Sequence, residues 1–230
     1  MATVSTSYVV WMFILVRHGE TEWSASGRHT GRSDIPLTAT GERQAQALAP
    51  WLRSTIGPRR RIVLCSPKRR AVHTAELAGL TPFDLDADLV EWDYGDFDGL
   101  TTEQIRSQVP GWTVFTRPCP NGETASHVAS RCDRVLTMVL SSVPEDDLVS
   151  DPGSRIGKPG SAADPGVAVV LVSHGHLLRV LAARWLGRSV RAAAELELGT
   201  AAVCVLGREH GTHTLRGWNL PNPLVPPAGA

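Results

Sequence analysis

Two unbroken apolar runs, Val9 to Val16 and Val167 to Val172, lead into a histidine followed by a glycine. A run of this kind bounded by a turn signal reads as a strand buried on both faces, as in parallel or mixed sheets covered by helices. Open sheets of that type present their chemistry at the carboxyl ends of the strands. The first run closes on Arg17-His18-Gly19-Glu20-Thr21 and the second on Ser173-His174-Gly175, so the architecture delivers both imidazoles to one sheet edge. Gly19 lets the backbone turn sharply and approach a ligand. Arg17 offers a planar fork of donors suited to phosphate oxygens, and His18 has the chemistry of a base, a metal ligand or a nucleophile.

Between the two runs the chain alternates. Thr38 reads as the N-cap of a helix from Ala39 to Arg53, with Ala45, Leu48 and Leu52 on one face and Pro50 expected to kink it or end it early. Arg59-Arg60-Arg61 leads into a short strand from Ile62 to Cys65. Ser66-Pro67 then reads as the N-cap and first-turn proline of a helix that reaches Ala78 and stops at Gly79. Arg70 lies in its first turn, and Thr74, one turn on, reads as a packing residue. An irregular stretch passes through Glu91-Trp92-Asp93-Tyr94-Gly95 to Gly99. Helices follow over Thr101–Gln108 and Glu123–Leu140, then from Leu177 to Gly187, with late strands over Ala201–Leu206 and Thr212–Trp218. This alternation predicts an α/β fold, a three-layer sandwich whose largely parallel mixed sheet is flanked by helices. One domain is expected over 1–230, with the Pro-, Gly- and Ser-rich segment 141–166 as a surface insertion and 220–230 as a flexible tail.

The formal net charge is zero, which argues against nucleic-acid or membrane-surface partners, so any phosphate recognition has to be local. No apolar stretch approaches the roughly 20 residues needed to cross a bilayer. The N-terminal apolar run lacks a basic n-region and a small-residue cleavage site, so it reads as a strand and not a secretory signal; Met12 is a second candidate start. The four cysteines show no Cys-x-x-Cys spacing, which points to reduced thiols in a cytoplasmic protein, with Cys65 and Cys204 in the core. His174 and His176 stand two residues apart at a strand end and point in different directions. With no third ligand at suitable spacing, no metal is expected. His29, His73, His127, His210 and His213 read as ordinary surface or loop histidines.

Taken in order, Arg17-His18-Gly19-Glu20-Thr21, the Ser66–Ala75 segment around Arg70, Glu91 before Tyr94-Gly95, and Ser173-His174-Gly175 resemble the histidine phosphatase superfamily, the phosphoglycerate-mutase-like group. The resemblance runs from Val9 to about Trp218 apart from the insertion. It implies that His18 is a nucleophile that becomes phosphohistidine. Arg17, Arg70 and His174 would clamp the phosphate oxygens, and Glu91 would protonate the leaving oxygen and later activate water. Arginines and an imidazolium would then supply the charge that phosphoryl transfer needs, with neither metal nor cofactor. To serve as an acid near neutral pH a carboxyl has to hold its proton unusually well. Burial beside Trp92 and near phosphate would push Glu91 that way, which predicts a bell-shaped rate profile peaking at mildly acidic to neutral pH. Trp23-Ser24 departs from the Trp-Asn often found in the family. With Ser26-Gly27, Glu91 to Gly99 and His174-Gly175-His176-Leu177-Leu178-Arg179, it resembles the branch of sedoheptulose-bisphosphatase-like enzymes and actinobacterial acid phosphatases. That match implies substrate or phosphate contacts at Ser24, Ser66 and Arg179, with Gly19, Thr30, Gly31 and Gly175 completing the binding set.

The expected partner is a small phosphorylated metabolite such as a sugar phosphate. Trp112, Phe115 and Arg117 are candidate walls for its leaving group. Cofactor-dependent mutases of the family carry a long insertion after the Glu-x-x-Tyr-Gly segment, whereas here only about twenty residues separate Gly99 from the Pro120-Asn121-Gly122-Glu123 turn. A phosphatase is therefore favoured over a phosphoglycerate mutase. A non-catalytic phosphate-ester-binding module would be expected to lack His18, Glu91 or His174, and all three are present. A homodimer is compatible with an exposed sheet edge.

Overall fold

The computed structural model describes residues 11–142 and 166–222. Val9, Val10 and nearly all of the expected insertion and tail lie outside them. Strands β1 (Trp11–Arg17), β2 (Arg60–Cys65), β3 (Asp84–Leu85), β4 (Val167–Ser173), β5 (Val203–Glu209) and β6 (Thr212–Leu220) form a six-stranded sheet in the order β3-β2-β4-β1-β5-β6. The β3-β2-β4-β1 part is parallel and β5 and β6 are antiparallel. The fold is thus the expected α/β mixed sheet flanked by helices.

Alternation along β1 builds the two cores. Phe13 and Leu15 face α5 (Ala125–Ser141) and α6 (Gly175–Trp185), while Ile14 and Val16 face α2 (Ala39–Ile56) and α3 (Arg69–Leu77); the short helices α1 (Glu22–Ala25) and α4 (Thr102–Gln108) lie in the connections. All four β1 side chains are fully buried, at about 1.5–3 kcal/mol each in transfer free energy. That burial fixes β1 at the sheet centre beside β4, which is buried along its whole length. Cys65, Cys119, Cys132 and Cys204 are free and buried. No helix among the described residues is long and apolar enough to cross a membrane.

Two local expectations are corrected. The α2 helix runs through Pro50 to Ile56: Pro50 and Gln46 lie on the exposed face, where water can satisfy the freed carbonyl. Leu48, Leu52 and Ile56 meanwhile pin the opposite face to the sheet. The α3 helix starts at Arg69 and not at Pro67, with Lys68 as an N-cap that makes no side-chain capping bond; the Ser66 hydroxyl accepts from the Lys68 N–H at 3.4 Å and also meets the His174 ring at 2.7 Å. Of the expected tail, residues 223–230 lie outside the described residues. Asn222 is buried and its amide donates to the Gln44 carbonyl at 2.8 Å.

Candidate active site

Parallel pairing of β1 and β4 sets Arg17 opposite Ser173, so His18 and His174 emerge side by side, their rings 5.2 Å apart and tilted by 61°. The turn after His18 tolerates only glycine. A Cβ on Gly19 would stand 2.4 Å from the Gly41 carbonyl oxygen, and the Gly19 N–H donates to Thr74 Oγ1 at 3.0 Å. Thr74 in turn donates to the Arg70 carbonyl at 2.7 Å, so this fully buried side chain is also a polar link between the two motifs. His18 Nδ1 meets the Gly19 carbonyl at 2.7 Å. A carbonyl can only accept, so the ring proton sits on Nδ1 and the Nε2 lone pair is left without a partner among the described residues. Burial, then the charges of Arg70 and Arg17, hold His18 well below the usual imidazole range. It is a neutral imidazole with a free lone pair.

His174 is locked differently. Arg70 Nε donates to its Nδ1 at 3.1 Å, and its Nε2 meets Ser66 Oγ at 2.7 Å. A guanidinium cannot accept, so Nδ1 is bare and the proton lies on Nε2, donated to the serine. Burial and the Arg70 charge depress His174 well below its ordinary value. This corrects the expected imidazolium: desolvation plus an adjoining guanidinium leave His174 neutral. Arg70 is itself fully buried, and its other nitrogens donate to the Ser33 and Thr30 carbonyls, each at 3.0 Å. The loop carrying those carbonyls is held by Asp98, which accepts from Gly31 N at 2.6 Å and from the Ser33 hydroxyl at 2.6 Å.

Glu91 comes from the irregular stretch, yet its carboxylate is held by three backbone N–H groups. Oε1 accepts from Trp92 N and Leu177 N, both at 2.9 Å, and Oε2 accepts from His176 N at 3.0 Å. The last two donors belong to the first turn of α6, where unsatisfied N–H groups favour an anion. Sequence reading anticipated burial beside Trp92 but not these three amide donors. Behind Glu91, Arg131 makes a two-pronged pair with Glu123 at 2.8 and 2.7 Å and donates to the Asp88 and Val90 carbonyls.

A cavity of about 170 Å³ opens at this sheet edge. Of the residues singled out in the sequence, Arg17, His18, Ser24, Thr30, Glu91, Gly175 and Arg179 line it. Arg17 donates from Nη1 to the Leu198 carbonyl, and its buried Nε has no partner among the described residues. Gly19, Gly31, Ser66, Arg70 and His174 do not line the cavity; they stand behind it, each bonded as described above. Ser24 closes a capping box with Thr21. Arg179 reaches the cavity while donating to the Ala193 and Ala194 carbonyls, its guanidinium stacked 4.7 Å from the Phe115 ring. Trp112 and Phe115 back the wall from the core and do not line it, and Arg117 lies at a separate surface hollow.

Arg28, His29, Tyr94, His176 and Leu198 also line the cavity. The reading of His29 as an ordinary loop histidine is corrected: it packs against Tyr94, Trp112 and His176, and burial lowers it to about 4. Nothing in its local sequence signals this, because its neighbours come from distant segments.

Residues 13–150 and 160–221 match the description of the histidine phosphatase superfamily (branch 1). The chain is 39% identical over 202 residues to an acid phosphatase of Mycobacterium tuberculosis, covering 88% of this chain and 89% of that protein. It is 30% identical over 204 residues to a sedoheptulose 1,7-bisphosphatase of Saccharomyces cerevisiae, covering 79% and 70% respectively. A solved structure of a Mycobacterium tuberculosis open reading frame product superposes with a TM-score of 0.79 at 36% identity, covering 92% of this chain and 98% of that one.

Proposed function

Starting from the fact that the chain belongs to the histidine phosphatase superfamily, branch 1, we propose that it is a phosphomonoester hydrolase acting through a phosphohistidine on small sugar phosphates. The observation that carries this reading is the unpartnered Nε2 lone pair of a neutral His18, facing a cavity that also holds Arg17 and Glu91. His18 Nε2 bonds to phosphorus as the ester oxygen departs, and that oxygen takes a proton from the Glu91 carboxyl. Glu91 Oε2 has one N–H donor where Oε1 has two, so Oε2 keeps the lone-pair position that carries the proton. The second half reverses the roles. Glu91 takes a proton from water, the water oxygen bonds to phosphorus, and the N–P bond breaks to release inorganic phosphate and neutral His18.

Charge on the transferring group is met by the guanidinium of Arg17 directly and by that of Arg70 from behind His174, so no metal is required. Four free buried thiols suit a reducing, cytoplasmic setting. Incubation with a panel of sugar mono- and bisphosphates tests the reading through release of free phosphate. Conversion of 3-phosphoglycerate to its isomer in the presence of 2,3-bisphosphoglycerate, without phosphate release, would establish a mutase instead.

A further inference from the structure

Glu91 Oε2, which has to reach the leaving oxygen, is bonded to the backbone N–H of His176. The His176 imidazole lines the same cavity as the Glu91 carboxylate that its backbone holds. Its placement is unusually determined. Nδ1 lies 2.5 Å from the Tyr94 hydroxyl, one ring face stacks on His29 at 5.6 Å and 28°, and Phe115 closes in edge-on at 5.2 Å. A phenol is the better donor and an imidazole nitrogen the better acceptor, so the O–H points at Nδ1 and the ring proton lies on Nε2. Both partners stay neutral: burial holds the phenol well above its ordinary value and the imidazole well below. Nε2 has no protein partner among the described residues, and His176 lines the cavity.

We propose that His176, with its tautomer fixed by Tyr94, is the group that reads a hydroxyl on the leaving alcohol, so that the site selects hydroxylated phosphate esters over plain alkyl phosphates. This rests on the hydrolase reading above. An uncharged N–H donor beside the leaving group is satisfied by a sugar or polyol hydroxyl. An alkyl chain leaves it desolvated and unpaired, a penalty of the kind that makes hydrogen-bonding sites discriminate. His176 contacts substrate in this scheme; Tyr94 is a positioning residue acting through it.

The test compares kcat/KM on glycerol 3-phosphate and n-propyl phosphate, which share a carbon chain and differ in hydroxyls. The wild type is expected to prefer the glycerol ester. His176→Leu should shrink that preference by about tenfold, mainly through KM. His176→Gln, whose amide can present an N–H at a similar place, should restore part of it. Tyr94→Phe should shrink it by a smaller factor and have no further effect on the preference in the His176→Leu background, since both changes act on one donor. An unchanged preference in His176→Leu, with both esters still hydrolysed, overturns the inference while leaving the hydrolase reading intact. So does a Tyr94→Phe effect that persists without His176. No phosphate release from either ester by the wild type, alongside none from the sugar phosphates, overturns the hydrolase reading and this inference with it.

Discussion

Arg70 Nε donates to His174 Nδ1 at 3.1 Å across a span of 104 residues, joining the start of α3 to the end of β4. The bond settles which nitrogen of His174 carries its proton, and through Ser66 it leaves neither ring nitrogen unpaired. A cation and an imidazole in direct contact are both stable here only because the imidazole is neutral.

Ser66→Ala should expose this arrangement. Ser66 is fully buried, so the variant strands an N–H with no partner, at about 1–3 kcal/mol of stability. The loosened ring should also lower kcat/KM by roughly ten- to a hundredfold. Urea denaturation and steady-state phosphate release on the same preparation check both numbers.

Stability should fall on the acid side of neutrality. His18, His174, His176 and His29 are all held below the ordinary imidazole value, chiefly by burial. Between about pH 6.5 and the lower folded values the unfolded chain binds protons that the native state refuses. Stability contributed by the neutral rings is thus complete above about pH 6.5 and drains as pH drops, at up to about 1.4 kcal/mol per pH unit per histidine. For His29 the loss continues to about pH 4. Denaturation midpoints measured from pH 7.5 to 4.5 should decline steadily; a flat profile would show that these rings protonate freely in the native state.

The acid limb of kcat/KM, which reports the free enzyme, should lie below pH 6.5 because burial and two guanidinium charges keep His18 deprotonated there. A limb at 6.5 or above would show an imidazole exposed to water.

Gly19→Ala should damage fold and activity together. The added methyl meets the Gly41 carbonyl at 2.4 Å, and backbone against backbone cannot yield without moving α2 or His18. A cost of about 1–3 kcal/mol and near-complete loss of turnover are expected, read by thermal denaturation and phosphate release. The reverse change on the other partner, Gly41→Ala, meets the Glu20 carbonyl at 2.1 Å and should do the same.

Arg131→Leu should cost roughly 3–5 kcal/mol in urea denaturation, as removing one partner of a largely buried pair does. It strips the guanidinium from the Glu123 carboxylate, which among the described residues keeps only the Asp93 N–H at 3.0 Å, and leaves the carbonyls of Asp88 and Val90 without the Arg131 donor.

The central strands and the meeting of His18 with His174 were legible because apolar runs and a His-Gly ending are local signals, and parallel pairing does the rest. Pro50 misled because its effect depends on which face it occupies, and the exposed face forgives it. Ser66 reads as a cap because Ser-Pro has that local form, and its hydroxyl does accept from the Lys68 N–H at 3.4 Å; its shorter bond, to His174, spans 108 residues and has no local signal. His29, Tyr94, His176 and Arg131 gave no periodic signal, since each is placed by contacts with distant segments that no spacing rule encodes. Glu91 could be picked out by its motif, but not the three amide donors that hold it, because two of them are supplied by the first turn of α6.

The most direct measurement is the site of covalent phosphate during turnover. Rapid quenching with a sugar phosphate substrate should trap acid-labile, base-stable phosphate on His18, and His18→Ala should show neither this adduct nor phosphate release. Undiminished turnover in His18→Ala, or phosphate trapped on a different residue, would contradict the assignment of the nucleophile and the account built on it.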